Sequence, residues 1–207
     1  MLRSQFYASP ENQTSKLSKT DYLDIAVYGE LLPDGSLHPV VTELLRKARE
    51  MARQVEVKVS LIVIGTQIAR KSREFFRFGT DRVFVYDDPL FQNAGSEILA
   101  VVFEHYFSNY KPSVILIGNT PAGNTAVQAA VLCGETTVAY LQTDFNIQSN
   151  RDLIFPADQG QPELLTVSNS RPQAVTVPAG FFKPLDPDPS RRGELVLCEL
   201  PESLRKL

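Results

Sequence analysis

From Tyr22 onward, short runs of apolar β-formers alternate with stretches whose apolar residues recur at helical spacing. Leu23–Tyr28 predicts a first strand, stopped by Gly29, and Leu32-Pro33-Asp34-Gly35 is a turn by composition. Between His38 and Arg53, Val41, Leu44, Leu45, Ala48, Met51 and Ala52 fall on one helical face, with Arg46, Lys47, Arg49 and Glu50 between them. Val55–Ile64 predicts a second strand, closed by Gly65, and about Ile68–Phe78 a second helix, ended by Gly79. A third strand, Val83–Tyr86, runs into the acidic turn Asp87-Asp88-Pro89. A helix from about Ser96 to Tyr110 follows, with Ser96 as its expected N-cap. Val114–Ile117 predicts a fourth strand, and after a Gly/Pro/Asn loop the small-residue stretch Thr125–Leu132 predicts a helix.

Downstream the period changes. Strands are expected at Val138–Phe145, Leu153–Phe155, Leu164–Val167 and Ala174–Val177, then a charged, Pro-rich linker Lys183–Arg192 and a last strand-like piece, Glu194–Leu200. Four strand–helix repeats imply right-handed crossovers. The expected fold is α/β: three layers, a mostly parallel sheet with helices on both faces. The later strands, having no helices between them, are expected as antiparallel additions at one edge. The division that follows is a polar tail over 1–20, an α/β domain over 21–182, and a linker with the last strand over 183–207.

Composition then removes whole classes of function. The 207-residue chain has a formal charge of −3 and lacks the basic excess of a nucleic-acid binder. No apolar run approaches the roughly 18–20 residues that cross a bilayer, and the polar start has no signal-peptide core. The expectation is a cytoplasmic protein that neither inserts in a membrane nor binds nucleic acid. Cys133 and Cys198 lack CxxC spacing and read as reduced thiols, and the two histidines, His38 and His105, have no partner at metal-ligand spacing.

In open α/β sheets, ligands bind beyond the carboxyl ends of the strands. The segment there with the strongest motif is Gly118-Asn119-Thr120-Pro121-Ala122-Gly123-Asn124-Thr125, between a strand and a helix. It has the Gly and Thr positions of a phosphate-cradling P-loop but Asn124 in place of the lysine that reaches the terminal phosphates. Gly118, Asn119, Thr120, Gly123, Asn124 and Thr125 are therefore the candidate anion or nucleotide loop, offering backbone amides and a helix N-terminus. The competing reading is a tight turn whose glycines serve backbone approach. Asp87-Asp88 reads as turn chemistry, Glu30 as a solvated or backbone-bonding carboxylate, and His38 as a cap or surface residue. His105 reads as a helix-face residue, and Phe75, Phe76 and Phe78 as core. No Gly-x-Ser-x-Gly, His-Glu-x-x-His or Gly-x-Gly-x-x-Gly occurs, so no catalytic residue is assigned and no enzyme is expected.

Several segments, taken in order, resemble the N-terminal domain of the electron-transfer flavoprotein alpha subunit. They are LDIAVYGE, VVTELLRKAREMA, LIVIG, FGTDRVFVYDDP, KPSVILIGNTPAGNTAVQAAVLCGETTVAYLQTDF and AVTVPAGFFKP. The likeness runs from about Leu23 to Leu200 and implies the α/β fold shared with adenine-nucleotide-hydrolase-like domains. It also marks departures. The family usually has Gly-Arg-(Asp/Glu) at Gly123-Asn124-Thr125, and Thr-Val-Arg-Pro-Gly at Thr176-Val177-Pro178-Ala179-Gly180; a common Asp is replaced by Tyr140.

The family's C-terminal domain carries Gly-rich motifs that are absent here, the chain stopping at Leu207 where that domain would begin. The resemblance thus implies a scaffold domain for electron transfer, paired with a beta subunit. FAD would be held only in that complex or with the missing flavin domain. Alternatives left open are a standalone adenine-nucleotide (AMP) or phosphate binder, and a degenerate, flavin-free assembly partner, for instance a homodimer.

Overall fold

A computed structural model describes residues 18–133, 136–140, 144–155 and 170–205. Seven strands form one sheet in the order β5-β8-β4-β1-β2-β3-β9, every neighbouring pair parallel. The strands are β1 (Ile25–Tyr28), β2 (Val59–Gly65), β3 (Arg82–Asp87), β4 (Val114–Gly118), β5 (Thr137–Tyr140), β8 (Gln173–Val177) and β9 (Glu194–Leu197). A separate antiparallel pair, β6 (Asn146–Ile147) and β7 (Leu153–Ile154), lies outside it. Helix α1 spans Pro39–Gln54, α2 Ser96–Tyr110 and α3 Pro121–Leu132.

The inner strands β1, β4 and β8 are apolar on both faces because both are covered, which makes their sequences continuous rather than alternating. In β1, Ile25 and Val27 face the core built with α1, while Ala26 and Tyr28 face the core built with α2 and α3. The α1 stripe Val41, Leu44, Leu45, Ala48, Met51 and Ala52 is buried, as its spacing predicts, and Val40 is buried with it. His38 caps α1, its Nδ1 accepting from the Val40 amide at 3.2 Å, with Pro39 in the first turn where no amide is needed. The aromatic residues of α2 stack on the second face, Tyr28 meeting Phe103 edge-on and Phe84 meeting Tyr106.

The α/β class and its helices on both faces are as the pattern implies, but three details differ. Among the described residues no antiparallel edge is found on this sheet: β8, β5 and β9 all join parallel. A parallel neighbour needs a chain long enough to return to the same end of the sheet, and that return need not be helical. Residues 178–193 make the return to β9 as irregular, Pro-rich chain, and the β6–β7 pair lies on the return to β8.

The expected helix at 68–78 is shortened to a 3-10 helix, Ser72–Phe78. Gln67 is left-handed (φ 59°), and Asp87 holds the amides of Gln67 and Ala69 at 2.6 and 2.9 Å, so regular structure starts only afterwards. Ser96 is the first helical residue and not the cap, a place taken by Gly95 without a side-chain bond. The strand expected at 164–167, residues 1–17 of the tail and residues 141–143 of the strand expected at 138–145 lie outside the described residues.

Candidate functional site

Chain order reverses direction beside β1: β2 and β3 lie on one side, β4 and β8 on the other. The carboxyl ends of β1 and β4 therefore flank the topological switch point, where an α/β sheet opens its ligand crevice. β1 delivers Tyr28, Gly29 and Glu30 to that place, and β4 delivers Gly118, Asn119 and Thr120. The structure thus sets the candidate loop beside Glu30, which it meets through Thr120.

Thr120 is the hinge of the arrangement. It is the N-cap of α3, its hydroxyl accepting from the Gly123 amide at 2.9 Å, and Pro121 follows at the first helical position. The same hydroxyl donates to Glu30 Oε2 at 2.5 Å, tying the end of β1 to the end of β4. The Asn124 amide is bonded to the Thr120 carbonyl at 2.8 Å, and the Asn119 amide to the Val177 carbonyl at 2.7 Å. α3 therefore starts at Pro121, four residues earlier than its small-residue pattern suggests. Most of the Gly/Asn loop is its first turn.

Asn119 and Asn124 are exposed, whereas Gly118 and Gly123 are buried. A Cβ on Gly123 would stand 1.8 Å from the Gly118 carbonyl oxygen, so glycine here answers a backbone-to-backbone approach. A Cβ on Gly118 would meet Val40 at 2.6 Å, because the α1 side of the crevice is already filled. Burial, and then the neighbouring Glu30 charge, push the Tyr28 phenol up to about 12, so it stays protonated.

A flavin needs its pyrophosphate met by free donors and its ring met by an open apolar slot. At the switch point Gly123 and Asn124 amides are already bonded and a carboxylate, Glu30, stands beside them. These residues do not fit a flavin, and no flavin ligand is assigned to them.

The remaining sequence candidates are dispersed. Asp88 caps the 3-10 helix Pro89–Asn93 by accepting from Leu90, and Asp87 holds the 67–69 turn, so the acidic pair is turn chemistry. His105, on α2, pairs its Nδ1 with Tyr86 Oη at 2.8 Å, a contact the sequence does not signal. Burial drives the Tyr86 phenol far above its ordinary value, with Cys198 adding to the effect. Phe75 and Phe76 are core, as expected. Both cysteines are free and half-buried. Among the described residues no group of three His, Cys, Asp or Glu could hold a metal, and no helix is long and apolar enough to cross a membrane.

Two further features escaped sequence reasoning. Asp152, before β7, is buried and accepts from Arg171, Lys19 and Asn150, joining β7 to the start of β8 and to the segment before β1. Glu43 on α1 accepts from the amides of Gly180 at 2.9 Å and Phe182 at 3.3 Å, fixing the turn after β8. Only the Glu30–Thr120 contact had a readable half: Thr-Pro is a helix-start signature. Its carboxylate partner, 90 residues away, had no signal.

A doubly wound parallel α/β domain with a self-bonded switch point is the class these observations define. The family model described as "Electron transfer flavoprotein domain" matches residues 25–203, and the chain belongs to that family. It is 34% identical over 170 residues to the lactate dehydrogenase (NAD(+),ferredoxin) subunit LctC of Acetobacterium woodii, covering 81% of this chain and 40% of that one. It is 31% identical over 182 residues to the electron transfer flavoprotein subunit alpha of Thermoanaerobacterium thermosaccharolyticum, covering 85% and 54%. With protein FixB of Azorhizobium caulinodans it shares 30% identity over 156 residues, covering 69% and 40%. The chain thus spans about half the length of the curated relatives it matches.

Proposed function

We propose that this chain is an electron-transfer flavoprotein alpha-type scaffold, working with a beta-type subunit of similar fold in the cytoplasm. The observation that carries the reading is the family match over residues 25–203, joined to relatives named as alpha subunits at 30–31% identity. In this reading the chain is not catalytic. FAD is held in the assembled complex, outside the switch-point crevice, which the Glu30–Thr120 bond and Val40 already fill.

The experiment is co-expression with the cognate beta-type subunit, tagged on one partner. Recovery of both chains with a flavin absorbance band is expected. Failure to form any complex, with a flavin-free homodimer in its place, would favour a degenerate assembly partner and overturn the reading.

A second reading places AMP or a phosphate on the 118–125 loop. It is favoured by one fact, that the loop stands at the switch point with Asn119 and Asn124 exposed. Calorimetry with AMP, ADP and ATP decides it. Absence of heat at millimolar ligand leaves the loop structural.

A further inference from the structure

The 3-10 helix Ser72–Phe78 carries Arg73 and Arg77, and the irregular return to β9 ends in Arg191 and Arg192. All four line one cavity of about 260 Å³, and Glu74 is the single carboxylate among its lining residues. In a chain whose formal charge is −3, this is a local excess of positive charge on one concave surface.

The two walls are fastened to each other before any ligand arrives. The Asp188 amide donates to the Arg77 carbonyl at 2.8 Å. Arg191 reaches across to Asp81 at 2.9 Å, itself bonded to Arg49. Arg192 donates through Nη1 to the Pro189 and Arg191 carbonyls at 2.7 and 2.9 Å, which holds its plane over the turn. The nearby Asp188 carboxylate is engaged by the Ser190 amide and hydroxyl.

Arg77 Nε is enclosed by the fold, its guanidinium standing 5.6 Å from the Phe78 ring, so the open donors of the cavity lie elsewhere. Arg73 is exposed and makes no hydrogen bond or ion pair among the described residues.

We propose that this cavity is a binding site for a phosphoryl group, pyrophosphate or the diphosphate end of a nucleotide. Guanidinium forks match phosphate oxygens in pairs, and a phosphoryl group offers more oxygens than a carboxylate to arginines approaching from two separate elements. At about 260 Å³ the cavity is too small for a larger body, so recognition is of the anion itself. It lies near the starts of β3 and β9, whereas the 118–125 loop lies at the opposite, carboxyl end of the sheet. It is independent of the reading under Proposed function.

Calorimetry on the 207-residue chain, with pyrophosphate and with ADP at low and raised salt, tests it. Pyrophosphate is expected to bind, and more weakly as salt rises. Arg73→Gln and Arg192→Gln should each weaken binding about tenfold, the loss of one charge-assisted contact. Arg70→Gln, outside the lining, should leave it unchanged. Arg73 bonds to nothing among the described residues, so its variant separates ligand loss from misfolding.

ADP heat that falls in parallel with pyrophosphate identifies the nucleotide end as a competent source, and pyrophosphate binding alone identifies the free anion. No heat with either at millimolar concentration overturns the proposal. So does binding that the arginine changes leave untouched, or capture of an acidic peptide when both phosphates fail.

Discussion

Replacing Gly123 by Ala separates the two readings of the 118–125 loop by the sign of a stability change. In an ordinary helix interior the substitution stabilises by about 0.5–1 kcal/mol, since glycine loses more backbone freedom on folding. A glycine kept only for a ligand would therefore gain from alanine in the ligand-free protein. Here the new Cβ would stand 1.8 Å from the Gly118 carbonyl oxygen, 2.9 Å from its carbonyl carbon and 3.0 Å from Thr120 Oγ1. To reach ordinary contact at 3.4 Å from the first of these, the backbone must retreat by about 1.6 Å.

Overpacking of that kind costs about 1–3 kcal/mol. The retreat also pulls the Gly123 amide from the Thr120 hydroxyl, a cap worth about 1 kcal/mol. Set against the gain from alanine, the expected net loss is about 1–3 kcal/mol. For a chain of this size that corresponds to a fall in Tm of roughly 2–4 °C for each kcal/mol. Urea unfolding followed by far-UV circular dichroism reads it. Asn124→Ala, exposed on the same turn, is the control and should change stability little. A Gly123→Ala protein as stable as its parent, or more so, would refute the backbone-contact argument.

Removing Asp152 strands Arg171, whose side chain is only 2% exposed, so Asp152→Ala should cost about 3–5 kcal/mol. The double change Asp152→Ala/Arg171→Met should recover much of this in the same urea assay, and no recovery would discount the pair. Acid should unfold the protein through two carboxyls. Burial pushes both up, but Arg171 and Lys19 hold Asp152, and Arg49 and the Val59 amide hold Asp81, below the ordinary carboxylate value. Their stabilisation is complete above an unfolded pKa of about 3.9 and is lost as pH falls through the lower folded values. Asp81→Asn should flatten that slope in a pH series, and an unchanged slope would contradict the assignment. Burial, and then the Glu104 charge, push the Cys133 thiol up to about 11. Its alkylation by iodoacetamide near pH 8 should lag a free thiol by on the order of a hundredfold, measured by peptide mapping. Equal rates would show that the thiol is not held in that environment.

Period and punctuation in the sequence determined the elements that bury a stripe or a strand. The α1 stripe from Val41 to Ala52, the glycines closing β1 and β2, and the apolar strands of a doubly covered sheet follow from side-chain spacing alone. Family membership was legible too, because it rests on the order of such segments.

What the sequence left open was decided by groups that meet across long separations. Whether β5, β8 and β9 run parallel depends on the end of the sheet to which the connecting chain returns, which side-chain spacing does not encode. The helix at 68–78 lost its first turn to Asp87, some 20 residues downstream, and α3 gained one from Thr120. The candidate loop kept its residues but changed its meaning. Its glycines serve contact with Val40 and with each other's backbone, and its threonine bonds Glu30 from the neighbouring strand. A hydrogen bond of 2.5 Å between residues 30 and 120 is a property of two strand ends lying side by side, and only the folded sheet puts them there.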